Sequence, residues 1–397
     1  MVTINRGFNL GVFEQALAEI ANGDPNLRLA NRIKAEAVGG IAALVQLIIT
    51  WARKTEPNGD LQIYARSLKD PALEHFSRTV TGLVALNLAH QIHSVDGHIS
   101  FGRSEAMEVA IPFVEAMHAR SLEPLREFSK STIPLLCIDN AKQLRRPIRL
   151  YKNAEAVRDR SEFADLLHAC FKLVGPDHYA PKGGRLMEAT ARLIYEAFLN
   201  THEHAQSDFR GDRLKRSVRG VLVGYRAIDL DQLAGMAGEH RPLRDHFEGW
   251  RPSNQRMRTA QFIDISVFDS GSGLAQTWLW RKGQIRHGIR EDGVPLQDEL
   301  RAVLGCLRKG GSIKPGHTSG NGLYRIMEVV RRAGGFIRIR SGRLSLVKAF
   351  PFDAPALDPA NIMVEDAVAG GVPRQARAWA DGTTISVLLP LNRGPDQ

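Results

Sequence analysis

The chain has 397 residues, 43% hydrophobic and 24% charged, with 36 glycines, 19 prolines and a formal net charge of +10. That is the composition of a globular protein of two or three domains, and it excludes a disordered, collagen-like or disulfide-stapled chain. Cys137, Cys170 and Cys306 lie far apart in apolar settings, no apolar run is long enough to span a bilayer, and no secretion signal opens the chain, so a cytoplasmic protein with buried free thiols is expected.

In chain order, residues 26–54 carry apolar residues at helical spacing, LQIYAR (61–66) reads as a short strand, and 72–94 reads as a second helix. HISFG (98–102) is a strand candidate, 106–128 an amphipathic helical stretch, and TIPLLCID (132–139) an apolar strand. Such alternation predicts a small α/β domain over residues 1–150, with an interaction or regulatory role and no catalytic motif. The basic stretch KQLRRPIRLYK (142–152) is the expected junction.

The second part, 151–397, has a different pattern. A helix at 161–174 and a Gly/Pro loop lead into a long helix at 185–205. Strands are expected at 217–229, 261–269, 336–342, 343–350 and 383–391, with further helices at 295–307 and 322–333. One helical layer over a mixed or antiparallel sheet follows. The basic surplus sits in this part, in clusters at 210–220, 325–335 and 337–343. It reads either as a surface for phosphates or as a solvated face. No aromatic residues interleave at base-stacking spacing, so nucleic acid is the disfavoured partner.

Four segments carry chemistry. On the 185–205 helix, the apolar stripe Leu186, Ala189, Leu193, Ala197 continues onto Asn200 and His204, with Glu196 one turn before Asn200. Buried polar groups there need partners, which a ligand or metal would supply. In FIDISVFDSGSGL (262–274), a strand delivers Asp269 to its end, where a carboxylate can accept from an exocyclic amine, and Gly271 and Gly273 allow close backbone approach. In GHTSGNGL (316–323), Gly316, Gly320 and Gly322 open a helix whose free amides favour phosphate. DGTTISVLLPL (381–391) is a Gly-Thr turn into an apolar strand. Neither the GxGxxG dinucleotide fingerprint nor a Walker loop is present. Taken singly, each segment also fits an ordinary amphipathic helix, turn or linker.

In this order, ExxxNxxxHA, DxGxGL, GxGL and GTxxxxxLP, the segments resemble the GHKL ATPase superfamily of gyrase B, MutL, heat-shock chaperone ATPases and histidine kinases. The resemblance covers about residues 155–397 and implies a Bergerat α/β sandwich, with helices on one face of a mixed sheet. It implies ATP and Mg2+ as ligands. By that resemblance Asn200 holds the magnesium, Glu196 is the general base, and Asp269 accepts from the adenine amino group. Gly271 and Gly273 shape the base pocket, Gly320, Gly322 and Leu323 belong to the phosphate-binding helix start, and Thr383 supports Asp269. The segment 275–319, with Lys309 and Lys314, corresponds to an ATP lid, and 227–258 is an insertion between strands expected to be neighbours. Glu203 stands where kinases of the superfamily commonly carry a basic residue.

The expected activity is a Mg-dependent ATPase whose nucleotide state controls a lid and a partner, engaged through the N-terminal domain or as a homodimer. A histidine or anti-sigma serine kinase and a nucleotide sensor with little turnover are the alternatives. His90 and His93 lack the carboxylate that follows a phosphoacceptor histidine, so core or surface roles are expected for them.

Overall fold

The computed structural model describes the chain except residues 36, 141–143, 154, 176–183, 239, 251, 254–255, 312–320 and 393–397. It opens on β1 (Val2–Ile4), β2 (Gly7–Phe8), α1 (Leu10–Ala21), β3 (Asn26–Leu29), β4 (Lys34–Ala35) and α2 (Gly40–Lys54). β5 (Asp60–Ile63), α3 (Pro71–Ser77), α4 (Val80–Leu88), β6 (Gln91–Ser94), α5 (Arg103–Glu108) and α6 (Ile111–His118) follow. β1, β3, β5 and β6 pair in that order as a parallel sheet.

Next come β7 (Thr132–Asn140), β8 (Leu144–Arg145), α7 (Arg160–Val174), α8 (Gly184–His204), β9 (Arg216–Asp229) and α9 (Arg241–Glu248). β10 (Thr259–Asp269), α10 (Leu274–Arg281), α11 (Leu296–Leu307) and α12 (Gly322–Arg332) lead to β11 (Phe336–Gly342), β12 (Leu344–Ala349), β13 (Glu365–Asp366) and β14 (Ala380–Pro390). These strands form an 8-stranded sheet in the order β13-β12-β11-β14-β10-β9-β7-β8. The fold is therefore mixed α/β.

Every pairing described in the large sheet is antiparallel, one of the two arrangements that the pattern allowed and not the mixed sheet that the resemblance implied. The boundary expected at 150 also does not separate the two sheets. β7 pairs with β9, Ile133 opposite Val223, so strands that precede the boundary belong to the large sheet. An apolar run such as TIPLLCID is suited to either sheet and carries no record of its partner.

Alternation along β10 gives the large sheet two buried faces. Ile263, Ile265 and Val267 point one way, and Phe262 and Ser266 the other. α7, α8 and α12 cover the first face, while α2, α4 and α9 pack on the second, so helices lie on both faces where a single helical layer was expected. α2 is buried around its whole circumference from Ala42 to Ala52, including Gln46 and Thr50. An all-round buried helix needs neighbours on every side. β14 and β10 supply one side, α1 and α4 the others. One continuous core thus joins Leu27 and Leu61 of the parallel sheet to Ile265 and Val387 of the large one.

Three local expectations change, and the expected neighbours on either side of the insertion do pair. Residues 26–29 form β3 and α2 starts only at Gly40, while 91–94 form β6; in both places pairing to β5 overrides the helical spacing. Within 98–102, Ser100 makes only an isolated bridge to His93. The insertion 227–258 leaves β9 and β10 as direct neighbours, because its α9 folds back with Leu243, Phe247 and Trp250 on Phe262 and Phe336. In the segment 275–319 expected as a lid, Leu279, Ile285, Ile289, Leu300 and Val303 are buried and Glu299 pairs with Arg343 at 2.7 Å, so its first part carries more apolar anchors than expected. Lys314 lies outside the described residues.

Candidate functional site

α8 sets the geometry. α7 before it is closed by a reciprocal cap: Asp159 Oδ1 accepts from the Glu162 amide at 3.2 Å, and Glu162 Oε2 from the Asp159 amide at 2.9 Å. Phe163 of α7 meets Tyr195 and Phe198 of α8 at ring distances of 5.5 and 6.1 Å. This contact fixes the rotation of α8 and turns Glu196 and Asn200 toward α12.

Glu196 is nearly buried, at 8% exposure. Its Oε1 accepts from Arg160 Nη2 at 2.8 Å and Arg325 Nη1 at 2.7 Å, whereas Oε2 takes no hydrogen bond among the described residues. A third guanidinium, Arg192, is held below its ordinary range by burial and by Arg325 and Arg160. Three cations around one carboxylate leave the neighbourhood positive.

α12 begins against these residues. A Cβ on Gly322 would lie 3.3 Å from both Asn200 Nδ2 and Glu196 Oε2, so the helix start approaches α8 this closely because residue 322 has no side chain. No side chain caps α12, since Asn321 Oδ1 is taken by the Gly310 amide at 3.0 Å. Among the described residues its N-cap side chain therefore offers the first-turn amides no acceptor, which suits an anion. Leu323 points into the core. Gly316 and Gly320 lie outside the described residues.

The end of α8 meets the end of β10. A Cβ on Gly271 would fall 2.8 Å from the His204 carbonyl oxygen, and Gly273 has φ +86. Asp269 is in register with Thr383 of β14, and Thr383 with Ser341 of β11. Asp269 Oδ1 accepts from the Gly271 amide at 2.8 Å. Ser341 Oγ accepts from the Leu274 amide at 2.9 Å and lies 3.5 Å from Thr383 Oγ1. Burial pushes the Asp269 carboxyl from 3.8 up to about 6, against the opposing pull of the Gly271 and Thr383 amides and of Arg53 and Arg219. The structure thus brings Glu196, Asn200 and Gly322 together at one point of α8, and Asp269, Gly271, Gly273 and Thr383 around its end. Glu196 and Ala205 are about 13 Å apart at 1.5 Å per residue.

Several residues behind the site were not singled out from sequence. Arg219, in register with Asp269, is fully buried. Its Nη1 donates to Asp139 Oδ2 of β7 at 2.8 Å, and its Nε and Nη2 donate to Tyr151 Oη at 3.1 and 2.8 Å. From the opposite face, Gln46 Nε2 donates to the carbonyls of Arg340 at 3.0 Å and Asp381 at 3.3 Å. Thr50 Oγ1 accepts from the Asp381 amide at 2.9 Å, and Arg53 donates to the carbonyls of Ser270 and Gly271. α2 thereby holds both turns that frame Asp269. The signal was present: Gln46 and Thr50 are the polar interruptions of the apolar run at 39–52.

The basic cluster at 337–343 is interior, not a phosphate surface. Arg340 pairs with Glu14 at 2.9 Å, Arg343 pairs with Glu299, and Arg338 is buried over the Phe13 ring. His93 Nδ1 lies 2.6 Å from Asp60 Oδ1, a structural pairing.

Among the described residues no group of three or more His, Cys, Asp or Glu side chains could hold a metal ion. A hard cation could still be held by Asn200, which makes no side-chain hydrogen bond among the described residues, if a ligand brought most of the oxygens. No helix is long and apolar enough to cross a membrane among the described residues. The chain matches no protein-family model, no curated protein and no solved structure.

Proposed function

We propose that the chain binds ATP with Mg2+ at a Bergerat-like site, on a sheet that is antiparallel and covered on both faces, and hydrolyses it, the nucleotide lying along α8. The observation that supports this most strongly is the spacing of two chemistries on one helix. A buried carboxylate suited to an exocyclic amine adjoins the end of α8, and an uncapped helix start with surplus guanidinium groups meets it about 13 Å away. That separation matches the reach from an adenine ring to its outer phosphates.

In this arrangement the adenine amino group donates to Asp269, and the amides of α12 with Arg160, Arg192 and Arg325 face the phosphates. Asn200 would be the residue to hold a magnesium ion, which would supply neutralisation of the phosphate charge. Glu196 stays anchored through Oε1 while Oε2 orients water toward the terminal phosphorus and accepts its proton. The bridging P–O bond breaks, giving ADP and phosphate.

One observation favours a second reading, a nucleotide sensor with little turnover. Glu196 ties down both Arg160 and Arg325, and each must leave it to reach phosphate fully. Purified protein incubated with γ-labelled ATP, with and without magnesium, separates the readings. Free labelled phosphate supports the ATPase, and binding without release supports the sensor. Label on the protein would indicate a kinase, and no binding of ATP would contradict the proposal.

A further inference from the structure

A cavity of about 560 Å3 opens on the far side of β7 and β9 from the Glu196 cluster, between α4, α5 and the edge of the large sheet. Its volume is that of a small-molecule site. Arg103 of α5, Arg145 of β8, and Lys215 and Arg216 at the start of β9 line it, against one carboxylate, Glu108, among the described residues. These cations come from three separate parts of the chain, so the surplus is a product of the fold and not of one basic run.

Arg216 is fixed in place. Its Nη1 donates to the carbonyls of Asn87, Leu88 and Ala89 at 3.3, 2.8 and 2.9 Å, which closes the C-terminus of α4. The same guanidinium is held below its ordinary range by burial and by the nearby Arg103, with Glu56 pulling the other way, and a bound anion would add to that relief. Among the described residues Lys215 makes one long ion pair, 3.8 Å to Glu56, and its side chain is 87% exposed. Asn87, 6% exposed, has an amide nitrogen with no partner among the described residues. The other wall is apolar, formed by Met107, Ile111 and Ile138, and Ile111 is an exposed large hydrophobic.

We propose that this cavity binds a small organic phosphate. Its dianionic group would sit among Arg103, Arg145 and Arg216, and its carbon skeleton would lie on Met107 and Ile111. Arginine donors arrayed from several directions suit the tetrahedral oxygens of a phosphate better than the single charge of a carboxylate. The concave shape admits one compact ligand, not a duplex, and the apolar wall gives the non-phosphate part a place out of water.

The test is calorimetric titration of the full chain with phenyl phosphate at low ionic strength. One-to-one binding is expected, at least tenfold weaker in Arg103→Ala and unchanged in Arg325→Ala. Arg103 is exposed, so its replacement leaves the fold intact, which equal thermal unfolding of the two proteins checks. Ile111→Ser should weaken phenyl phosphate and leave inorganic phosphate unaffected, and benzoate should bind at least tenfold less tightly than phenyl phosphate. Loss of binding in Arg325→Ala with none in Arg103→Ala would place the anion at the Glu196 cluster and overturn the proposal. So would benzoate binding as well as phenyl phosphate, absence of saturable binding up to about 10 mM, or a DNA duplex binding more tightly through Arg103. ATP binding at Asp269 is independent of each of these outcomes.

Discussion

Arg53, in the last turn of α2, donates through Nη1 to the carbonyl of Gly271 at 3.4 Å and also reaches the Ser270 carbonyl. The N-terminal helix thus holds the turn that follows Asp269. Removing this charge-assisted anchor leaves two carbonyls with one donor fewer and should destabilise the protein by about 1–3 kcal/mol. Arg53→Ala should lower the urea midpoint and weaken ATP about tenfold, with Arg53→Lys in between. Unchanged affinity would show that the turn keeps its shape without α2.

Asp269 should make ligand binding pH-dependent. Its carboxyl is pushed up to about 6 in the folded chain from 3.8. Between those values the folded state holds a proton that the unfolded state has lost, so this residue's contribution to stability falls as pH rises from about 4 to about 6. An amine donor on the ionised carboxylate acts in the opposite sense, so adenosine affinity should rise through about pH 6 and level off above it. Adenosine carries no phosphate to titrate in this window. Isothermal titration at several pH values checks the trend, and a flat profile would remove Asp269 from the contact.

Asp139 accepts from both Arg219 at 2.8 Å and Arg146 at 3.1 Å, and all three are buried. Asp139→Ala leaves two guanidinium groups without their carboxylate and should cost about 3–5 kcal/mol in urea unfolding. Joint replacement by Asp139→Leu and Arg219→Met should recover a large part of that loss. Equal losses in the single and double variants would show that repacking, not unpaired charge, sets the effect.

Glu196→Ala should separate binding from turnover. If its Oε2 orients water, hydrolysis should fall by about 10²–10⁴ while ATP still binds. The freed Arg160 and Arg325 should hold the phosphates somewhat tighter. Full turnover in the variant would move the base elsewhere.

Much of the large sheet and most of its covering helices were legible in the sequence, because strands such as 261–269 and helices such as 185–205 carry a clear period, whereas α9 was hidden in a segment read only as an insertion. The parallel sheet was less so, since β3 has only four residues beside a long apolar helix. Partners were not legible at all. Nothing in the cluster at 337–343 indicates Glu14 or Glu299, and nothing in TIPLLCID indicates β9. Asp269, Asn200 and Glu196 stood out as polar residues at the ends or on the packed faces of apolar elements. Arg219 and Asp139 did not, because alternation along β9 and β7 reads the same for a buried ion pair as for an exposed one.

The central claim is that Asp269 receives an adenine amino group. Asp269→Asn keeps the shape of the side chain but can present a donor where an acceptor is needed, leaving two donors facing each other in a buried pocket. Titration calorimetry of folded wild type and Asp269→Asn with ATP and magnesium measures this directly. Saturable binding by the wild type and none, or at least a hundredfold weaker binding, by the variant is the expected result. Equal ATP affinity in the two proteins would contradict it.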